Sequence, residues 1–534
     1  MSLNKLEFQI YDFREKNVCI VDKDSEEDAL PKYIIDVFGK TMDGKSVYCK
    51  VTDFNPYFYI KLPEQWTEYR AKKNLKRMKR WLKEKAPISS YYNESKGVFI
   101  SSDNLRKGLK KVNLVEKKES TGFTNDKLFY FYELIFTNDI SRKKYSNIFF
   151  PYPKEKKDCD NCEAKNLKYY CENCDNSNVV KDKYRHNCSK CKADIRVKKC
   201  FDCNNLNTYY IDNTQKNNLP KVLIPSISNK PIPYPTYEAN FMAMLRCFHI
   251  RDIKGCGWVS VNINDCILPD ECKTFEDCNN KDIEKESSCY YEFSINYKKI
   301  NSIEKNINAP FVIASFDIEC YSSIEGQFPR ATIPKDKIIQ IGTTYTRLGE
   351  SIPFRQHIVC LNQTDNIDGV VVESCTTEKE LVKKWMEEIK NSDCDILTGY
   401  NIFYFDEKYI NDRCEKILDY KRIKYISKLN NHKCEFKEIK LASSALGENL
   451  LRFYDTPGIV HVDLMKELQK SHKLSSYKLD NVSSNFIRGK IINITKKKNN
   501  YHIECFQVKD IFVDDYIHIE ISKGFVSDYI GKKY

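Results

Sequence analysis

Long apolar runs are missing from this 534-residue sequence. No stretch approaches the ~20 consecutive apolar residues that span a bilayer, and the opening MSLNKLEFQIYDF lacks the apolar core of an export signal. Both gaps set the expectation of a soluble intracellular protein with no membrane partner. Histidine is scarce, with eight in all and no metal-binding pair among them. Glycine is sparse too, at 17, and the phosphate cradles that glycine builds are correspondingly hard to find. A formal match to GxxxxGK[ST] runs from Gly39 to Ser46. That loop works only when it leads into a helix, because the helix N-terminus helps hold the phosphate. Here it leads into VYCKVTDFNPYFYI, β-branched, aromatic and interrupted by Pro56. Asp43-Gly44 between two strand patterns is therefore read as a hairpin turn.

Charge, aromatics and cysteine are plentiful. Charged residues make up 30% and aromatics 13%, with a formal net charge of +12. The length predicts roughly three domains, at ~150 residues each, with sizeable cores. A basic balance suits a polyanion such as nucleic acid, although a solvated lysine-rich surface accounts for the charge equally well. The segment 68–85, EYRAKKNLKRMKRWLKEK, shows the same ambiguity. Leu75, Met78, Trp81 and Leu82 form one apolar stripe of a helix whose other face is wet and basic.

The 23 cysteines are expected as thiols or metal ligands, because disulfides are rare inside cells. Eight of them form the most regular feature of the chain: Cys159/Cys162, Cys171/Cys174, Cys188/Cys191 and Cys200/Cys203. Each pair is a CxxC turn, which aims two thiolates at one point, and two such turns complete a tetrahedral sulfur site. Eight ligands make two Zn²⁺ sites, with iron–sulfur clusters as the competing occupant. The repeat DCDNC…YCENC, NCSKC…KCFDC favours one ion per half, and interleaved pairing stays open. Few large apolar residues accompany the cysteines, so metal binding supplies the folding energy of the segment and its role is structural. Cys266, Cys272, Cys278 and Cys289 lack knuckle spacing and are read as ordinary thiols in a polar connector over 266–308.

Beyond residue 308 the pattern becomes strand, strand, strand, helix, strand, helix, an α/β layer arrangement. FVIASFDIEC (311–320) is an apolar run with Asp317 and Glu319 near its end. Residues i and i+2 of a strand share a face, so the two acids point together. Such a pair repels itself unless a divalent cation lies between, which is the need of a magnesium-dependent phosphodiesterase site. A solvated strand end is the plainer alternative. KIIQIGTTYTR, FRQHIVCL and CDILTGYN come next as strands, and EKELVKKWMEEIK as a helix capped by Thr376 or Thr377. Asn401-Ile-Phe-Tyr-Phe405-Asp406 then leads into a further helix. Asp406 is read either as that helix's N-cap or as a third carboxylate reaching the cations of Asp317 and Glu319.

FVIASFDIEC with KIIQIGTTYTR, then LVKKWMEEIKNSDCDILTGYNIFYFD, resemble the first and second exonuclease motifs of family B DNA polymerases, in the delta-type form of large DNA viruses. LGENLLRFYDTPGIVHVDLMKELQKSHKLSSYKLDNVSSNFI resembles the segment after those motifs, and VTDFNPYFYIKL and FMAMLRCFHIRDIKGCGWVSV resemble that family's N-terminal domain. The resemblance implies a ribonuclease-H-like 3′–5′ proofreading exonuclease domain over 309–534. It would come after a mixed, β-rich N-terminal domain over 1–153 and 216–308, interrupted by a zinc-ribbon-like insert at 154–215. The whole is a multidomain α/β and α+β chain. By the same resemblance Asp317, Glu319 and Asp406 ligate two Mg²⁺ or Mn²⁺ ions, and Asn401 and Phe405 touch the single-stranded primer end.

The sequence departs from that family in three ways. The third exonuclease motif, Tyr-x-x-x-Asp, is not found, since Tyr477-Lys-Leu-Asp480 is one residue short. No DTDS-like or SLYPS-like polymerase motif is present, and the four-CxxC insert is not a standard feature of the N-terminal domain. The chain alone is thus expected to show weak or no nuclease activity. Its partners would be a single-stranded 3′ end, primer–template DNA, a sliding clamp, and a second chain or further region carrying palm, fingers and thumb. It would act at a nuclear or cytoplasmic replication site. Two competing expectations are a non-catalytic DNA-binding module built on a degenerate exonuclease fold with zinc ribbons, and a self-sufficient nuclease completed by Asp480 or Asp528.

Overall fold

The computed structural model describes residues 5–19, 30–93, 98–119, 126–149, 167–171, 173–174, 179–181, 186–191, 197–200, 202–203, 206–208, 221–270, 272–275, 277–279, 283–443, 447–486, 490–498, 500–505, 517, 519–523 and 526–529. Two compact units emerge. The first comprises 1–311 with 427–432 and 457–459, and the second the remainder.

Two sheets of four or more strands organise the described residues of the first unit. The larger has six strands in the order Tyr291–Asn296, Ser46–Thr52, Pro31–Lys40, Lys5–Cys19, Trp258–Asn262, Asn301–Ile303. Alternating apolar residues (Phe8, Ile35, Val37, Val259, Phe293) bury one face of it. Pro31–Lys40 and Ser46–Thr52 pair antiparallel from Lys40↔Ser46, and Gly44 takes φ +80° in the turn. The segment that mimics a phosphate loop is therefore a hairpin, as its β-branched sequence required. The stretch 266–308 departs from the expected loose connector. It supplies two strands of this sheet, and Phe275, Phe293, Ile295 and Ile300 lie in the core. Its many Lys, Asn and Glu residues masked a short alternation of buried positions.

The smaller sheet has four strands, Thr236–Tyr237, Tyr57–Lys61, Leu128–Phe136 and Leu109–Lys118. The basic helix Glu68–Glu84 packs against its core through Ala71, Met78 and Leu82, with Leu75 and Trp81 half-buried. That is the stripe the spacing predicts, shifted slightly along the helix.

The second unit is a six-stranded mixed sheet with flanking helices. Its elements are β1 (Val312–Cys320), β2 (Ile338–Arg347), β3 (Arg355–Leu361), β4 (Val371–Cys375), α1 (Glu378–Asn391), β5 (Ile396–Gly399), α2 (Asp406–Lys416), β6 (Val460–Asp463) and α3 (Leu464–Ser471). The spatial order is β4-β3-β2-β1-β5-β6. Strand β2 runs antiparallel to both β1 and β3, whereas β5 is parallel to β1 and β6 to β5. Helix α1 starts at Thr377, whose hydroxyl accepts the Glu380 N–H, and it buries Leu381, Val382, Trp385 and Ile389. A long hairpin, Glu435–Ser443 with Gly447–Asp455, leaves the chain between α2 and β6. Among the described residues no helix is long and apolar enough to cross a membrane.

Candidate active site

Strand β1 alternates buried and accessible positions, and the alternation puts Phe316 and Ile318 inside while Asp317 and Glu319 are exposed on the opposite face. The two acids therefore share a face, as an i, i+2 pair must. Next to β1 lies β5, whose ladder with it covers only Ile313 to Ser315 against Ile396 to Thr398. Beyond that ladder the Ile318 N–H donates to the Asp406 carboxylate at 3.2 Å. Asp406 thus continues, with a side chain, the hydrogen bonding that β5 leaves off.

Asp406 is the first residue of α2, and the helix has no side-chain cap at Phe405. The N-cap alternative is therefore not what the residue does. Its carboxyl is buried, and it lies against that of Asp317. Burial first, and the Asp317 charge second, push it up to about 7, with the Ile318 N–H opposing. A buried acid held beside another acid is costly unless a cation neutralises it. Three carboxylates are hard oxygen donors suited to Mg²⁺ or Mn²⁺, and on that chemistry the residues fit a divalent ion. Among the described residues these three do not bring one oxygen each within 4.8 Å of one another. The set is therefore not a closed single-ion cage.

The turn between β5 and α2 carries Asn401 and Phe405, the other two residues the sequence singles out. Asn401 adopts φ +65°, the left-handed region that asparagine tolerates. Its Oδ1 is buried and has no hydrogen-bond partner, an arrangement costly in a finished fold and useful for a ligand. The Phe405 ring packs edge-on against Phe328 at 5.0 Å and at a tilt against Tyr409 at 5.2 Å. Phe328, which sequence reasoning missed, lies in the loop after β1 and is 72% exposed. Tyr404 is exposed in the same turn as Phe405.

Residues 234–482 match the description "DNA polymerase family B, exonuclease domain". The DNA polymerase of Acanthamoeba polyphaga mimivirus is 28% identical across 100% of this chain and 30% of its own length. That of Pyramimonas orientalis virus is 29% identical across 94% of this chain and 44% of its own. The DNA polymerase delta catalytic subunit of Drosophila melanogaster is 27% identical across 86% and 34%. Residues 234–482 belong to the exonuclease domain of the family B DNA polymerases. That region has the domain's ribonuclease-H-like α/β fold, and the chain spans less than half the length of these relatives.

Within this polymerase exonuclease region, the residue that sequence reasoning missed most clearly is Asp463. It is buried at the end of β6. Its carboxylate accepts the backbone N–H groups of Asn401 (2.9 Å), Phe403 (3.1 Å) and Met465 (2.9 Å). One side chain thereby caps α3 and pins the turn that delivers Asn401, Phe405 and Asp406. Nothing separates it in the sequence from any other aspartate before a helix. Asp463→Ala strands three donors, so a loss of about 3 kcal/mol is expected. Faster amide exchange over 400–406 than elsewhere in the second unit would confirm that the loss is local. Gly399 contributes by its smallness: an added Cβ would come within 2.5 Å of the Phe316 carbonyl oxygen, one residue before Asp317.

The cysteine segment departs from pairing by repeat halves. Among the described residues, Cys171, Cys174 and Cys191 bring their sulfurs within 4.8 Å of one another, so the cluster crosses the two halves. The side chain of Cys188 and all of Cys159 and Cys162 lie outside the described residues. Cys200 is buried and Cys203 half-buried. Asp480, the alternative completing acid, is exposed on the helix Leu479–Phe486. The side chain of Asp528 lies outside the described residues.

Proposed function

We propose that this chain contributes 3′–5′ proofreading hydrolysis of single-stranded DNA ends during DNA replication. It would work with palm, fingers and thumb regions borne by a longer chain or a second one. The observation that carries the reading is the buried, charge-crowded Asp406 beside Asp317, on the accessible face that also presents Glu319. Asp317, Glu319 and Asp406 would hold two divalent ions, and the cysteine segment would hold structural Zn²⁺. Bound Mg²⁺ or Mn²⁺ would lower the pKa of the attacking water and offset the charge developing on the phosphate and the leaving 3′ oxygen.

The chain's own residues do the rest. Asn401 offers its buried, unpartnered Oδ1 to a hydroxyl or amino donor of the terminal nucleotide. Phe405 and Phe328 form an aromatic edge on which a base can stack without being read, worth about 1–3 kcal/mol per base. Asp463 ties the turn that carries Asn401 and Phe405 to the end of β6. The test combines Mn²⁺ bound per chain with shortening of a 5′-labelled single-stranded oligonucleotide in single turnover. Asp317→Ala is expected to lose bound Mn²⁺ and to slow 3′ shortening by at least about 100-fold. Retention of both by the variant overturns the proposal.

A further inference from the structure

The four knuckles of the cysteine run can be shared between two ions in three ways (tandem, interleaved or nested), and the described sulfurs and strands distinguish them. Cys171 Sγ lies 3.4 Å and Cys174 Sγ 3.6 Å from Cys191 Sγ. A disulfide would need about 2.05 Å, whereas a tetrahedral ion with Zn–S near about 2.3 Å sets sulfurs about 3.8 Å apart. Three thiolates gathered at this spacing repel one another without a cation. The strands explain how they meet. Val179–Lys181 and His186–Cys188 pair as a hairpin with Val179 opposite Cys188, which folds the third knuckle back onto the second. Leu167–Tyr170 pairs with Val197–Cys200, so that Tyr170 faces Val197 and Cys200 faces Leu167. Cys171 comes directly after Tyr170, and Cys200 stands at the other end of that pairing, about 10 Å along the strand.

We infer that the second and third knuckles share one Zn²⁺, held by Cys171, Cys174, Cys191 and, through the CxxC spacing, Cys188. Cys200 and Cys203 do not belong to that ion and are left, with the remaining pair of the run, to the second. The sites are nested rather than in tandem.

This pairing rests on the zinc reading above, and the test separates the two. Zinc per chain is measured on the full protein and on two quadruple Cys→Ser variants. In the first, Cys171, Cys174, Cys188 and Cys191 are replaced; in the second, Cys188, Cys191, Cys200 and Cys203. Nested sites predict about two ions in the native chain, one in the first variant and none in the second. Tandem sites predict the reverse for the variants, and that result overturns the pairing, as does loss of all zinc from the first variant. A native chain without zinc overturns the zinc reading itself.

Discussion

Asp406→Asn is expected to make the ion-free protein more stable and, on the proposed proofreading role, 3′ shortening far slower. The native carboxyl is buried against Asp317 and titrates at about 7, so near pH 8 its charge is maintained against both burial and repulsion. Asparagine keeps an oxygen for the Ile318 N–H, now 3.2 Å from the carboxylate, and can donate to Asp317. Removing the charge should return on the order of 1–2 kcal/mol, a rise of about 3 °C in the second unit's transition. Adding Mn²⁺ should narrow or reverse that order, because only the native set gains the full binding contribution to stability. Cleavage should fall about 1000-fold, the scale expected when a transition-state charge loses its partner. A variant less stable than the native chain without ions, or one that Mn²⁺ stabilises equally, would remove Asp406 from the site. The pairing of higher stability with lower activity separates a functional carboxylate from a structural one, since a structural acid loses stability when neutralised.

The parts of this arrangement that were legible in the sequence share one property: they are periodic. The alternation in β1 placed Asp317 and Glu319 on one face, the 3.6-residue stripe marked α1, and the CxxC repeat marked the cysteine segment. Asp406 was legible as a candidate only because it opens a helix after a strand. Its actual bond, to a backbone N–H of another strand 88 residues away, has no local signature. The same holds for Asp463, which acts on backbone donors 60 and 62 residues upstream. The repeat in the cysteine run reports only the likeness of its halves, and the cluster of Cys171, Cys174 and Cys191 crosses them. The 266–308 stretch misled because its buried residues are few and separated by polar ones, so that composition outweighed a weak alternation.

Arg413→Ala is expected to cost about 3–5 kcal/mol, the largest single loss in the second unit. Arg413 is fully buried in α2. Its Nε donates to Glu378 at 2.7 Å, and an Nη donates to the other Glu378 oxygen. Further Nη donors meet the carbonyls of Ala331 (3.2 Å), Ile333 (2.8 Å) and Pro334 (3.3 Å). Glu378 also accepts the Ile338 N–H at 3.0 Å. One buried pair therefore joins α1, α2 and the start of β2 to the loop that carries Phe328. Alanine leaves Glu378 charged and buried without its partner, and it strands three carbonyls. Replacing both members by methionine removes the orphaned charge, and for a simple buried pair that exchange can be neutral. Here the loop carbonyls and the Ile338 N–H would still lack partners, so the double variant should stay about 2 kcal/mol below the native chain. Urea unfolding combined with amide exchange of β1 and β2 would read both values within the second unit. A double variant as stable as the native protein would mean that the pair serves only its own two charges. A deficit that persists would assign the remainder to the loop, and Phe328 should then lose its contact with Phe405, now 5.0 Å between ring centres, and with it the aromatic edge proposed for the DNA end.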